Sequence, residues 1–526
     1  MEQDQPQGGR RPKEAGEERL SREAQPIQAV VFDLDGTLVD SEPNYRVTDE
    51  RFVAAKGVPV SELDWDDIVG MGGGPFMELL RSRFGVEGSA DGLLAEKDAL
   101  YLDYAAGRTH AFPAMLELVR YLYVHGYSLA VGTSSQRKVL DASLAEAGLS
   151  GYFSATVSRD DVARSKPEPD TFLEAARRLD VAPHRCMVIE DSQYGVEAAS
   201  RAGMRVVAVP APGTETLEAF RKADVVIVGG PARLDPTGIV ARFGLAPRNA
   251  QAGETAKRFS TVVRDFYKGA RRPMPWREES DPYRILVSEF MLQQTQVARV
   301  EPKYRAFLER FPTVDSLARA SLQDVLSFWQ GLGYNRRGRN LREAARAIVE
   351  RFAGCVPRDV DALKSLPGVG PYTAAAVAAF AFESPVVVVE TNIRRLFIHF
   401  FHPLAESVHD REIEPLVESM LIAGSRTLGG SVRHWYYALM DYGAWLGRLA
   451  PNANRRSSHY ARQSPFAGSV REVRGRIVRA LTQRRSVSIE ELELAVGPTD
   501  SRLAAALEGL ERDGMIAIEG RRISLR

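Results

Sequence analysis

A chain of 526 residues is too long for one ordinary hydrophobic core and points to roughly three domains. Its 69 basic and 69 acidic side chains cancel, so net charge alone advertises neither a nucleic-acid nor a membrane partner. Its two cysteines, Cys186 and Cys355, exclude by count a disulfide scaffold, a structural zinc site or a four-cysteine iron–sulfur cluster, and they fit a reducing, cytoplasmic setting.

In chain order, residues 1–25 hold no apolar signal-peptide core and read as a disordered tail. No later apolar run reaches the ~20 residues a membrane helix needs, so no membrane partner is expected. From 26 to 230, short apolar runs such as "AVVFDLD", "YSLAVG", "CMVIED" and "RVVAVP" alternate with helical segments. That is the pattern of a doubly wound α/β domain whose parallel sheet is covered on both faces. Residues 42–112 interrupt it with amphipathic helices and "GMGGGP", which predicts an inserted helical cap. Residues 231–256 turn to Gly, Pro, Ala and Arg and read as a linker. Residues 257–450 show helix after helix, an all-α domain. A basic connector, 451–465, leads to a small module at 466–526 with three helical patterns and two short strands about a glycine, the order of a winged helix. Between Asn452 and Arg485 stand nine arginines and one glutamate, a local basic excess that the global balance conceals.

The first chemical constellation is "FDLDGT". Asp33 and Asp35 follow a predicted strand, where open α/β sheets bind ligands. One aspartate can attack phosphorus while the other handles the leaving-group proton. Thr133, Lys166, and the pair Glu190 and Asp191 follow at later strand ends, able to bind phosphoryl oxygens, screen charge and hold a hard Mg²⁺. With these motifs, residues 26–230 resemble the capped phosphotransferases of the haloacid dehalogenase superfamily. The resemblance implies Asp33 as nucleophile, Asp35 as general acid/base, and Mg²⁺ held by Asp33, the Asp35 carbonyl and Asp191. Ser165 stands where that family usually has a glycine before the lysine. The substrate expected is a small phosphorylated metabolite, and the reaction that of a phosphatase, with a mutase as the alternative.

The second constellation begins with "SEFMLQQTQV" and "WQGLGYNRRGRN" and continues to "LPGVGPYTAAAVAAF", a glycine hairpin that can offer backbone N–H groups to a phosphate. Together these blocks resemble the helix-hairpin-helix DNA glycosylases of the endonuclease III superfamily, with adenine DNA glycosylases as the nearest branch. The resemblance implies double-stranded DNA with a damaged or mismatched base as partner, and Glu289 as the acid that protonates the departing base at N7. It places Gln293 and Tyr334 in the base stack, the hairpin Gly368 and Gly370 on the DNA backbone, and Tyr372 where a lyase would carry lysine, which predicts a monofunctional enzyme.

Three departures stand out. Where adenine glycosylases carry Asp-Gly-Asn, this chain has Glu390-Thr391-Asn392, at the end of the apolar run "PVVVV", itself read as largely core. Glu390 aligns with the carboxylate that steadies the cationic sugar, and Asn392 with the family's asparagine. The segment that would carry the family's iron–sulfur cluster has no cysteine, so no cluster is expected, and the winged-helix-like module replaces the family's usual C-terminal domain. Arg455, Arg456, Arg462, Arg471, Arg474 and Arg476 are candidates for the phosphate contacts of the missing cluster loop. Arg394 and Arg395 read equally as phosphate contacts or as a polar helix face. The expectation is therefore a bifunctional fusion of phosphatase and base-excision glycosylase. Its rival is an active phosphatase or phosphomutase joined to a DNA-binding module that the change at Glu390 has impaired.

Overall fold

The computed structural model describes residues 26–68, 72–216, 218–245, 247, 252–449, 452–460, 467–484, 486–496 and 501–526. The tail at 1–25, Arg462, and Gly70 and Met71 of "GMGGGP" lie outside them. The chain divides into two compact units, the first ending at Phe259 and taking in His399–Leu404, the second formed by Ser260–Ile398 and Ala405–Arg526.

The first unit is built on a six-stranded, wholly parallel sheet: β1 (Ala29–Phe32), β2 (Ser128–Gly132), β3 (Ala155–Val157), β4 (Cys186–Glu190), β5 (Arg205–Ala208) and β6 (Val225–Val226). The strand order is β3-β2-β1-β4-β5-β6. β1 and β4 carry buried side chains throughout, as strands covered on both faces must. The connection from β1 goes to one side and the chain later returns to β4 on the other. The crevice between their carboxyl ends is thus the topological switch point at which such sheets bind ligands. The Asp33 N–H donates to the Ile189 carbonyl at 2.9 Å, fixing the end of β1 against β4.

Helices Glu42–Ala55, Gly73–Phe84 and Ala90–Ala105 form the cap around their own apolar core, including Phe52, Phe76, Met77, Leu80 and Leu93. The chain re-enters the sheet domain where the Phe112 N–H meets the Leu38 carbonyl at 3.0 Å. The stretch read as a linker is partly helical. Pro236–Arg242 forms a short helix because Pro236 opens it and Asp235 caps the Thr237 N–H at 3.1 Å, and another helix starts at Ala252.

Helix Ala252–Ala270 runs from the first unit into the second, which is helical from Ser260 onward apart from its C-terminal module. Helix Pro282–Leu292 starts on an Asp281 cap, with Pro282 in the first turn. Helices Val360–Lys364 and Pro371–Phe382 make the hairpin. The module holds helices Val470–Gln483, Ile489–Val496 and Ser501–Arg512 and an antiparallel sheet of β7 (Ser486–Ser488), β9 (Arg522–Leu525) and β8 (Ile516–Glu519), in that order. The serine-flanked β7 is a third strand that composition did not reveal. Among the described residues no helix is long and apolar enough to cross a membrane.

Candidate active sites

At the switch point of the first unit, Asp33, Glu190 and Asp191 bring one carboxylate oxygen each within 4.8 Å of the others. Lys166 Nζ donates to Asp33 Oδ1 and, at 3.0 Å, to Glu190 Oε1. Both lysine and aspartate are nearly fully buried. Burial raises the Asp33 carboxyl, opposed by Lys166 and reinforced by Glu190 and Asp35. Burial likewise raises Asp191, with the Glu190 and Asp33 charges adding to it. One ammonium among three carboxylates, two of them buried and Asp191 half-buried, leaves the cluster short of positive charge. Its all-oxygen donor set suits a hard divalent cation.

Asp35 Oδ2 accepts from the Ser135 hydroxyl at 2.6 Å, and Ser135 in turn lies 3.3 Å from the hydroxyl of Tyr45 on the cap. Thr133 is buried at the end of β2, its hydroxyl accepting the Ser135 N–H at 3.0 Å. These groups line a cavity of ≈ 220 Å³ whose far wall is cap: Tyr45, Arg46, Trp65, Phe76 and Lys97. Two glycines make the cluster sterically possible. A Cβ at Gly195 would stand 1.5 Å from Glu190 Oε1, and one at Gly36 2.2 Å from Asp191 Oδ2. A single sequence carries no sign of either approach, because each joins segments from different strands.

In the second unit, Glu289 is 5 % exposed on helix Pro282–Leu292. Burial pushes its carboxyl up to about 7; a hydrogen bond with the Tyr372 hydroxyl opposes this and the Glu390 charge adds to it. Burial, then Glu289 and Glu390, hold the Tyr372 phenol well above its ordinary value, so it stays protonated.

Glu390 ends a stretch without regular secondary structure and caps helix Thr391–Phe401: its Oε1 accepts the N–H groups of Asn392 at 2.7 Å and Ile393 at 2.9 Å. Its Oε2 accepts Asn392 Nδ2 at 3.2 Å. Burial raises its carboxyl, and the two backbone donors oppose the shift. Only Val388 of the four preceding valines is buried, so the run is less of a core segment than its composition predicts. Val386, Val387 and Val389 are half-buried.

Gln293, at the end of helix Pro282–Leu292, donates to Thr373 Oγ1 at 3.1 Å. Tyr334 is 41 % exposed at φ +48°, a left-handed conformation uncommon outside glycine. Gly368 takes φ +78°, and a Cβ there would lie 2.6 Å from that of Asn340. Gly370, exposed, sits at the amino end of helix Pro371–Phe382. The residue that joins these pieces is Arg337. Its guanidinium donates to the carbonyls of Phe290 (2.9 Å), Met291 (3.0 Å), Gln293, Leu332 (3.1 Å) and Gly333 (3.2 Å). In "GYNRRGRN" nothing separates this buried clamp from its exposed neighbour Arg336.

Most arginines offered as phosphate contacts have partners within the protein. Arg394 forks onto Asp410 at 2.6 and 2.7 Å, and Arg395 donates to Asn392 Oδ1 at 2.9 Å and the Gly443 carbonyl at 2.7 Å. Arg474 pairs with Asp513 and Arg476 with Glu472 at 2.6 Å, while Arg456 reaches the Ala405 carbonyl at 3.4 Å. For Arg394, Arg395, Arg474 and Arg456 a partner comes from a distant segment, which a count of local charge does not register, whereas Arg476 pairs one turn away on its own helix.

Comparison with known proteins agrees with this division. The family model for haloacid dehalogenase-like hydrolases matches residues 30–209, and that for the HhH-GPD superfamily of base excision DNA repair proteins matches residues 287–418. Adenine DNA glycosylase of Mycolicibacterium smegmatis is 36 % identical over 268 residues, 48 % of this chain and 90 % of that protein. Among solved structures, CbbY from Rhodobacter sphaeroides in complex with phosphate is 28 % identical, covering 38 % of this chain and 93 % of its own with a TM-score of 0.34. A thermostable thymine-DNA glycosylase is also 28 % identical, covering 37 % of this chain and 88 % of its own, with a TM-score of 0.34.

Proposed function

We propose a function from one premise: the chain belongs to the adenine DNA glycosylase family, and ahead of that part it carries a haloacid dehalogenase-like hydrolase domain. It is a hydrolase with two chemistries, a phosphatase acting on a small phosphate ester and a monofunctional glycosylase excising a base from duplex DNA.

For the phosphatase, Asp33 is the nucleophile, attacking phosphorus to form an aspartyl-phosphate while the ester oxygen departs with a proton from Asp35. Ser135 holds Asp35 in place, and Asp35 then takes a proton from the water that hydrolyses the intermediate. Thr133 and Lys166 bind the phosphoryl oxygens. Asp33, Asp191 and the Asp35 carbonyl would hold Mg²⁺, with Glu190 beside them, and the cation would neutralise phosphoryl charge. Mg²⁺-dependent hydrolysis of p-nitrophenyl phosphate, lost in Asp33→Asn, is the expected result. Equal activity in the variant would refute the nucleophile.

For the glycosylase, the carrying observation is a buried carboxyl with a pKa near 7, hydrogen-bonded to a phenol and within range of a second carboxylate. Such an acid keeps its proton near neutrality and can deliver it to the N7 of an extruded adenine, so that the N-glycosidic bond breaks with the electron pair on the base. Glu390 steadies the cationic sugar left behind. Gln293, Tyr334 and Asn392 contact the distorted DNA, and Gly368 and Gly370 its backbone. Tyr372 offers no amine for a Schiff base. The reading includes no iron–sulfur cluster, because two cysteines supply half of a four-thiolate set.

One observation favours a second reading. Both Glu390 oxygens are engaged by its own helix, which suits a purely structural cap and a module that binds DNA without cutting it. End-labelled duplexes carrying A opposite 8-oxoguanine, A opposite G, and T or U opposite G, treated with alkali after incubation, decide between them. Strand cleavage at A is expected; retarded but uncut DNA on every duplex would establish the second reading.

A further inference from the structure

Two arginines contact Tyr334. The guanidinium carbon of Arg337 lies 5.6 Å from its ring centroid and that of Arg471 5.9 Å. Arg471 Nη1 also donates to the Tyr334 hydroxyl at 2.8 Å. Arg337 belongs to the glycosylase core, whereas Arg471 stands in the first turn of helix Val470–Gln483, in the C-terminal module.

That module is anchored where it supplies this arginine. Gln323 Nε2 donates to the Thr482 carbonyl at 3.2 Å and Gln330 Nε2 to its hydroxyl at 3.3 Å, at the far end of the same helix. Near its other end the tie is indirect: Arg474 of this helix pairs with Asp513, whose carbonyl accepts from Arg339 and whose carboxylate lies 3.5 Å from Arg336. The helix carrying Arg471 is tied to the glycosylase domain directly at Thr482 and through Asp513 near its start, so the position of Arg471 is set by the domain it serves.

We propose that the C-terminal module forms part of the DNA-facing edge of the glycosylase site, with Arg471 as the positioning residue that sets the Tyr334 ring for entry into a base stack. The inference rests on reading Tyr334 as a residue that contacts the stack. An exposed tyrosine samples several rotamers, and each must be given up when the ring enters DNA. The Arg471 hydrogen bond at its hydroxyl and the Arg337 guanidinium beside its ring restrict those rotamers beforehand, and binding then costs less entropy.

The test uses full-length protein and duplexes with 2-aminopurine beside an A·8-oxoguanine pair, whose fluorescence rises on unstacking whether or not a bond is cut. Arg471→Ala and Tyr334→Phe should each weaken the binding that produces the rise by about 2- to 10-fold, the range for ordering one side chain. The double variant should be no worse than either single one, and Arg471→Lys should recover part of the loss. The inference is overturned if Arg471→Ala leaves the signal unchanged. It is equally overturned if the two losses multiply in the double variant and the salt slope falls by about one, which would make Arg471 an independent phosphate contact. Because fluorescence and cleavage are separate readouts, an intact rise without strand cleavage would sink the glycosylase reading alone.

Discussion

Gly443, on helix Val432–Leu449, passes so close to Asn392 that a Cβ at 443 would stand 2.0 Å from the Asn392 carbonyl oxygen. Real Cβ contacts never come so near, and both partners are backbone, so an alanine there must move the first turn of helix Thr391–Phe401. Glu390 caps that turn and would move with it. Gly443→Ala is expected to lower base excision on the order of 10²-fold, the cost of a roughly 1 Å misplacement. It should also destabilise the protein by about 1–3 kcal/mol through overpacking. Single-turnover cleavage and chemical denaturation measure the two effects.

The cap and the charge of Glu390 are separable. Gln keeps an oxygen for the Asn392 and Ile393 N–H groups but carries no charge and sets an amide NH2 against Asn392 Nδ2, so Glu390→Gln should keep most of the cap's stability and lose cleavage. Glu390→Ala should lose both, the missing cap costing about 1 kcal/mol. Glu390→Asp tests whether the longer acid is matched to its backbone position. A glutamine variant that cleaves like the parent would show that the carboxylate has only the structural task.

The Glu289 carboxyl lies near 4.5 when unfolded and about 7 when folded. Its folded pKa is raised, so its contribution to stability is complete below pH 4.5 and is lost as the pH rises through 7. The total is about 3 kcal/mol. Glu289→Gln has nothing to ionise. It should abolish excision yet melt at a higher temperature than the parent at pH 8, with the difference vanishing near pH 4.5. Excision by the parent should fall about tenfold per pH unit above 7. A parent rate that stays level to pH 9 would remove Glu289 from the role of acid.

Gly195→Ala places a methyl 1.5 Å from Glu190 Oε1, a carboxylate oxygen that also accepts from Lys166 and from the Ser192 hydroxyl at 3.0 Å. Displacing it should raise the Mg²⁺ concentration needed for half-maximal phosphatase activity by about 10- to 100-fold, the usual effect of disturbing groups that orient metal ligands. Metal titration of p-nitrophenyl phosphate hydrolysis would show it. An unchanged titration would mean that Glu190 has no part in metal binding.

The sequence exposed those parts of the structure that depend on local order. Apolar β-branched runs at strand spacing disclosed the parallel sheet, and Asp33 and Asp191 fall at strand ends because each directly follows such a run. Glu289 stood out because its helix is apolar around it. What depended on contact between distant segments was hidden. Gly195 and Gly443 look like any helical glycine until the opposing carboxylate or carbonyl is in place. Arg394 and Arg395 were undecidable as a pair, since their partners Asp410 and Gly443 lie 16 and 48 positions away. The short strand β7 depends on pairing with β9 rather than on its own three residues.

Arg337 has a mechanical meaning beyond its hydrogen bonds. By gathering carbonyls from both the end of helix Pro282–Leu292 and the loop before Tyr334, one guanidinium welds the mounts of Gln293 and Tyr334 into a single jaw. A shift at either mount is therefore passed to the other through one side chain.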